Sequence, residues 1–386
     1  MSIADRNLDA LRSEVDTTSL ARLIETEGSD TDWLLPHRSL TVDIETYLQT
    51  VMELHFHPEY GTPYWLDRES ELGFDPRTDI TSVEDLSKFP EADEEVLRSS
   101  EFRYVTPQYY DVTNLDISNS SGTTGQKKSM PYGRPVTEDM AEWYAWHVDQ
   151  RSSTDGDWFA IGPYGLYERH LVSAANACGQ ACHFVGIEPK RLKKQARVLQ
   201  EMTSGVGGFM RSLPDLKSGL KGIPRFEATL QAAGDIVASQ SFTHFASGVG
   251  IPQRLHPKLE TRGPTDPKDV ETLLLSGGHI PAEEREELAS LYPNASIVPM
   301  YATSFTGACI DHPDTDHVAY YPMAPSAFLD VVSDGEPVSV GERGRTVIHR
   351  VGADFLWPMQ VERETARREP ARAPFEWNGI AEIQPL

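Results

Sequence analysis

The chain is 386 residues long and 39% hydrophobic, and its 59 Asp and Glu against 35 Lys and Arg give a formal net charge of −24. That length holds two or three ordinary domains or one large α/β unit, and the charge argues against nucleic acid as a partner, since no basic face is visible beyond Lys190 to Lys194. Three cysteines are too few for a disulfide framework, the first residues lack an apolar leader, and no window approaches a membrane span; the expectation is a cytoplasmic protein with no membrane partner. Only 10 of the 35 basic residues are lysines, and an acidic, lysine-poor surface that stays hydrated in concentrated salt points to a halophilic source.

Residues 1–30 read as an amphipathic helical arm, and 41–57 as a second helix with apolar residues at helical spacing. His55 and His57 would then form a helix-end pair at a domain seam. A short helix over 93–98 leads to the stretch SSGTTGQKKS at 120–129. A longer helix is expected over 137–149, with Thr137 as N-cap and Met140, Trp143 and Tyr144 on one face. Cys178 and Cys182, four residues apart on an expected helix, suit core packing. Strands are expected at Trp158–Ile161, Ser241–Phe245, Thr272–Ser276, Ser296–Met300, Phe328–Val332 and Arg345–His349. Alternation of helices and strands predicts an α/β fold, with ligands at the carboxyl ends of strands.

The stretch at 120–129 has the composition of a phosphate-binding loop. Glycines let backbone N–H groups converge on an anion, hydroxyls donate further hydrogen bonds, and lysines bring positive charge. Its spacing is not that of a Walker A motif, and a flexible connector has a similar composition. Cys309, His312, Asp314, Asp316 and His317 could supply zinc ligands or form an acidic solvated loop. No Ser-His-Asp order or G-x-S-x-G elbow points to a hydrolase.

The loop resembles the phosphate loop of the adenylate-forming superfamily, which includes acyl-CoA synthetases, peptide-synthetase adenylation domains and luciferase. Four other segments are similar, in order and spacing, to the phenylacetate-CoA ligase branch. They are TPYWLDRESELGFDPRTDITSVEDLSKFP, the aromatic and glycine-rich stretch at 161–189, LLLSGGHIPAEEREELASLYPNASIVPMYATSFTGA at 273–308, and DGEPVSVGERGRTVIHRV at 334–351. The resemblance implies the large N-terminal domain of an adenylate-forming enzyme, with β-sheets flanked by helices. Residues 1–110 would be its N-terminal helical segment and 111–386 the nucleotide- and acyl-binding core. It implies ATP and Mg²⁺ as cofactors and a small aryl or acyl carboxylic acid as substrate, with CoA or a carrier-protein thiol as acceptor. Ser121, Gly122, Thr123, Thr124, Gly125 and Lys128 would hold the phosphates. Ser276, Gly277, Gly278 and His279 would lie along the adenine, Tyr301 would stack on it with Ala302 and Thr303 beside it, and Ser304 would bond the α-phosphate. Tyr164, Gly165, His170, Phe245 and Gly248 would line the acid pocket, although an aromatic beside glycines also suits a core.

This sequence departs from the family in three places. The signature Tyr-Gly-x-Ser/Thr-Glu reads Tyr301-Ala302-Thr303-Ser304-Phe305, so the carboxylate that holds Mg²⁺ is replaced by Phe305. The segment Arg-Thr-x-Asp aligns with Arg363-Glu364-Thr365-Ala366, leaving Arg363 in register but no acid at Ala366, with Glu362 and Glu364 as neighbours that could substitute. About twenty residues follow Ala366, so the mobile lysine-bearing lid domain is expected to be absent or supplied by a separate partner. The related luminescence acyl-protein synthetases use a cysteine near the C-terminus, and the last cysteine here is Cys309. Two functions are implied: ATP-dependent activation of a carboxylic acid as acyl-adenylate, or a catalytically degenerate homologue that binds nucleotide or acyl ligand, alone or within a complex.

Overall fold

The computed structural model describes residues 43–98, 103–106, 115–119, 128–152, 156–187, 223–277 and 280–386. The expected helical arm at 1–30, the phosphate-loop residues Ser121, Gly122, Thr123, Thr124 and Gly125, and Gly278 and His279 lie outside them. The helices are α1 (Ile44–His55), α2 (Arg134–Asp149), α3 (Leu166–Ala177), α4 (Ile223–Val237), α5 (Ile251–Arg262) and α6 (Ala282–Leu291), with short helical turns between. The strands, in chain order, are β1 (Leu115–Asn119), β2 (Ser129–Gly133), β3 (Trp158–Pro163), β4 (Cys182–Ile187), β5 (His244–Gly248), β6 (Thr272–Ser276), β7 (Ser296–Thr303), β8 (Gly307–Asp311), β9 (Ala319–Tyr321), β10 (Ala327–Ser333), β11 (Glu336–Pro337), β12 (Arg343–Val351), β13 (Leu356–Glu369) and β14 (Gly379–Pro385).

The chain divides into two compact units, one made of residues 1–146 and 301–386 and the other of 147–300. Packing explains why the segment after residue 43 groups with the last strands. Asp43 caps α1, its carboxylate accepting from Thr46 N at 2.9 Å, and Leu48, Val51 and Met52 form a fully buried stripe. From that helix, Tyr47 donates to Val351 O at 2.7 Å and His55 Nε2 lies 2.7 Å from Gly352 O; nearby, Trp65 donates to Leu356 O at 3.0 Å. The N-terminal residues are thus bonded to strands that follow them by some three hundred positions. His55 is fully buried inside this unit and burial pushes its pKa down to about 4, so it is a neutral structural imidazole and not a seam residue.

In the first unit the strands run β11-β10-β12-β13-β14-β9-β8, all paired antiparallel, with β1 and β2 as a separate antiparallel hairpin. In the second, β4-β3-β5-β6-β7 are parallel. A parallel sheet covered on both faces needs apolar residues on both, and Leu273, Leu274 and Leu275 are successive buried residues of β6. The core beneath it joins Phe159, Phe242, Phe245, Leu255, Leu273, Leu275 and Tyr292.

Helix α2 begins at Arg134, three residues before the expected cap. Thr137 is therefore internal, and its hydroxyl reaches back to Gly133 O at 3.4 Å. Met140, Trp143 and Tyr144 are buried together as expected. Cys178 and Cys182 do not share a helix: Cys178 is the C-cap of α3, Gly179 turns the chain with φ 71°, and Cys182 opens β4.

Candidate functional site

In the first unit, the β1–β2 hairpin pairs Leu115 with Gly133 and Asn119 with Ser129, which makes the hydroxyl- and glycine-rich stretch its connection. Lys128 stands at the exit. Its Nζ lies 2.5 Å from Glu94 Oε1 and 5.6 Å from the centre of the Phe305 ring. The same Glu94 oxygen accepts from Gln360 Nε2 at 2.7 Å. Further along β2, Tyr132 donates its hydroxyl to Ser304 O at 2.9 Å, tying the hairpin to the turn between β7 and β8.

That turn is built by its own side chains. Thr303 Oγ1 accepts from the backbone N–H of Phe305 and of Thr306, both at 3.1 Å, an arrangement that shapes the reversal and occupies the hydroxyl. Gly307 follows with φ 69°, a conformation that favours glycine, and a Cβ there would displace the Met140 methyl, 2.3 Å away. Tyr301 is tethered at its far end, donating to Glu364 Oε2 at 2.8 Å, with its ring 6.0 Å from that of Tyr320.

Charge around Lys128 is mostly negative. Burial alone would raise the Glu94 pKa, but hydrogen bonds from Lys128 and Gln360 bring it below the ordinary value. Glu362 goes the other way: burial pushes it up to about 7, with Lys128 opposing and Glu364 and Glu94 adding to the rise. Burial also raises the Tyr301 phenol, reinforced by Glu364 and Glu362, so it stays a donor. Alternation along β13 places Arg363 on the opposite face from Glu362 and Glu364, and it is exposed. Of the residues expected from sequence, Lys128, Tyr301 and Ser304 therefore come together with Phe305, while Arg363 does not join them. Glu94 and Gln360, which complete the cluster, carry no local sequence signal.

In the second unit, β3 ends in Pro163 and the chain turns through Tyr164 and Gly165, φ 101°, into α3. Tyr164 is 64% exposed, yet its ring lies flat on β4: a Cβ on Gly186 would fall 1.7 Å from the ring. Phe184 is its aromatic neighbour at 6.2 Å. His170 is buried on α3, and Gly248, Ser276 and Gly277 stand at the carboxyl ends of β5 and β6. Phe245, expected to line the acid pocket, packs in the core cluster of this unit. It is fully buried, 5.1 Å from Phe159 and 5.9 Å from Phe242, because the side chains of an internal parallel strand are enclosed on both faces.

No family model matches this chain and no curated protein matches it. Among solved structures, 2-hydroxyisobutyryl-CoA ligase in an open conformation, in complex with 2-HIB-AMP and CoA, is similar over 92% of this chain and 78% of its own, with a TM-score of 0.61 and 12% identity. The same ligase in the thioesterification state, also with 2-HIB-AMP and CoA, matches 92% of this chain and 70% of its own with a TM-score of 0.65 and 13% identity. The chain shares the mixed α/β fold of that ligase. Among the described residues, no helix is long and apolar enough to cross a membrane.

The donor set does not suit a protein-held Mg²⁺. Phe305 offers no oxygen, Glu94 is bound to Lys128, Glu364 accepts from Tyr301, and burial favours the protonated form of Glu362. Among the described residues, no group of three or more His, Cys, Asp or Glu is arranged to hold a metal. The same holds for the CIDHPDTDH segment. Cys309 is buried on β8, His312 lies 3.1 Å from Ala373 O through Nε2 and accepts from Asp314 N through Nδ1, and His317 bridges Asp316 at 2.8 Å and the buried Glu369 at 3.1 Å.

Those two carboxylates raise the His317 pKa, the bond to Asp316 being the largest cause. A raised histidine stabilises the folded chain most fully below its unfolded value of 6.5, and the gain is lost as pH rises through the folded value. Replacing His317 with Gln should therefore lower the melting temperature more at about pH 6 than at about pH 8.5, the difference being small because the ring is partly exposed. An equal loss at both pH values would show that the ion pair does not contribute.

Proposed function

We propose that this protein activates an organic carboxylic acid with ATP. A carboxylate oxygen attacks the α-phosphorus, the bond to the β-phosphate oxygen breaks, and acyl-adenylate and pyrophosphate form. The observation that carries this reading is the meeting of Lys128, at the exit of the hydroxyl- and glycine-rich hairpin, with the Ser304-Phe305 turn of the signature strand, two segments far apart in sequence. Lys128 supplies charge to the polyphosphate, Ser304 bonds the α-phosphate, and Tyr301 presents its ring to the purine while Glu364 fixes its hydroxyl. On the family resemblance, the loop residues Ser121 to Gly125 are assigned to the phosphates and Ser276 to His279 to the adenine. Tyr164, Gly165, His170 and Gly248 are assigned to the acid. Transfer of the acyl group would use CoA or a carrier-protein thiol.

Pyrophosphate exchange into ATP over a panel of aryl and aliphatic acids, in molar KCl and with and without Mg²⁺, tests the reaction. We expect exchange with at least one acid and its loss on Lys128→Ala with the fold retained. ATP binding without exchange for any acid would instead support a degenerate homologue that binds nucleotide, a reading favoured by Phe305 in place of the family carboxylate and by the fully buried Ala366.

A further inference from the structure

The cation expected to hold phosphate is already occupied. Lys128 Nζ contacts Glu94 Oε1 at 2.5 Å, and that oxygen is fixed from a second side by Gln360 Nε2 at 2.7 Å, while Arg98 approaches the other Glu94 oxygen at 4.0 Å. Neither member of the pair is freely solvated, with 19% of the Lys128 side chain and 31% of Glu94 exposed. On its other side the ammonium faces the Phe305 ring, which cannot compete for it as a carboxylate would. Glu362 and Glu364 add carboxyl groups to the same surroundings.

We infer that Glu94 is a specificity-determining residue of the proposed nucleotide site, an internal counter-ion that Lys128 must exchange for phosphate before a polyphosphate can bind. This rests on the nucleotide reading given above. Two physical effects act in the same direction. A phosphate oxygen at Lys128 must replace a charge-assisted hydrogen bond that the protein already makes, and the displaced Glu94 carboxylate then repels the ligand at close range. The cost grows with the charge carried by the phosphates and vanishes for a nucleoside. Wild-type protein therefore discriminates among adenosine, AMP and ATP by charge at one residue, and Glu94 sets how strongly it discriminates against the triphosphate. Gln360 makes the exchange harder by holding Glu94 in place from β13.

Calorimetric titration of adenosine, AMP and ATP into wild type, Glu94→Gln and the double variant Glu94→Gln with Lys128→Ala tests the inference. Glutamine keeps the shape and the acceptor for Gln360 but removes the charge. The expected result is ATP affinity about tenfold tighter in Glu94→Gln, a smaller gain for AMP, adenosine within about twofold of wild type, and no gain for ATP in the double variant. Melting temperatures identify a variant that does not fold. In that case Glu94→Asp, which keeps the charge but withdraws it from Lys128 by one methylene, takes its place, with ATP again expected to tighten. Adenosine binding with ATP affinity unchanged or weaker in the single variant overturns the role of Glu94 and leaves the nucleotide reading intact. Failure of all three ligands to bind wild type and variant alike overturns the nucleotide reading, and this inference with it.

Discussion

Replacing Asp354 with alanine should lower the unfolding free energy by about 3–5 kcal/mol, because it strands a charge in the interior. Asp354 and Arg350 are both 1% exposed, and the guanidinium approaches the carboxylate at 3.4 and 3.5 Å. Those distances are long for a charge-assisted bond, so the pair depends on its surroundings. Arg350 also donates to Ser326 O at 3.3 Å and lies 5.0 Å from the Tyr132 ring. Asp354 Oδ2 accepts from Gly133 N at 2.6 Å, and its backbone oxygen accepts from Thr106 N at 3.2 Å. Alanine removes the carboxylate from Arg350 and Gly133 together, leaving a buried cation and a buried N–H without this partner. Urea denaturation should show the full loss for Asp354→Ala and a smaller one for Asp354→Asn, which still accepts from Gly133. The double variant Arg350→Met with Asp354→Asn should recover part of the stability, since no unpaired charge remains. A loss below about 1 kcal/mol for Asp354→Ala would show that this pair is not a fixed part of the interior. Because Gly133 ends the strand that begins beside Lys128, the same variant should also weaken ATP binding, an effect that a lesion elsewhere in the core would not produce.

The second large effect is a gain. Glu362→Gln should stabilise the protein by about 1–3 kcal/mol at about pH 8 and change it little below about pH 4.5. Burial lifts the folded pKa of Glu362 from 4.5 to about 7, so the folded state favours its protonated form. That preference contributes fully below the unfolded value of 4.5, declines between 4.5 and 7, and is gone above 7, where folding must bury a carboxylate. Glutamine is neutral throughout and avoids that cost. Lys128 opposes the rise, so Lys128→Ala should push the Glu362 pKa higher and enlarge the gain from Glu362→Gln at pH 8. Denaturant midpoints across the pH range check both statements. A Glu362→Gln curve parallel to that of wild type would show that Glu362 has the same pKa in the folded and unfolded states.

Much of the architecture was legible in the amino-acid sequence because it rests on local pattern. Apolar runs bounded by turn residues marked β3, β6, β7, β10 and β12 to within a few positions, and the 3.6-residue spacing after Asp43 marked α1. Strand β13 shows where that signal ends. Its sequence LWPMQVERETARRE is rich in charge over its second half, yet it forms a 14-residue strand because β12 on one side and β14 on the other complete its backbone hydrogen bonds. The site divides in the same way. The glycines, hydroxyls and lysine of 120–128 have by composition the character of a phosphate loop or a connector, and Phe305 stands where the family resemblance places a carboxylate. No sequence spacing shows that Glu94, 34 residues before Lys128, is its partner, or that Gln360, 266 residues after Glu94, holds the same oxygen. Nor does it show that Phe245 is core while Tyr164 is surface. Chain composition determines what each segment can form, whereas the identity of a charge's counter-ion and the burial of a ring depend on which distant strands close around them, and only the tertiary structure decides that.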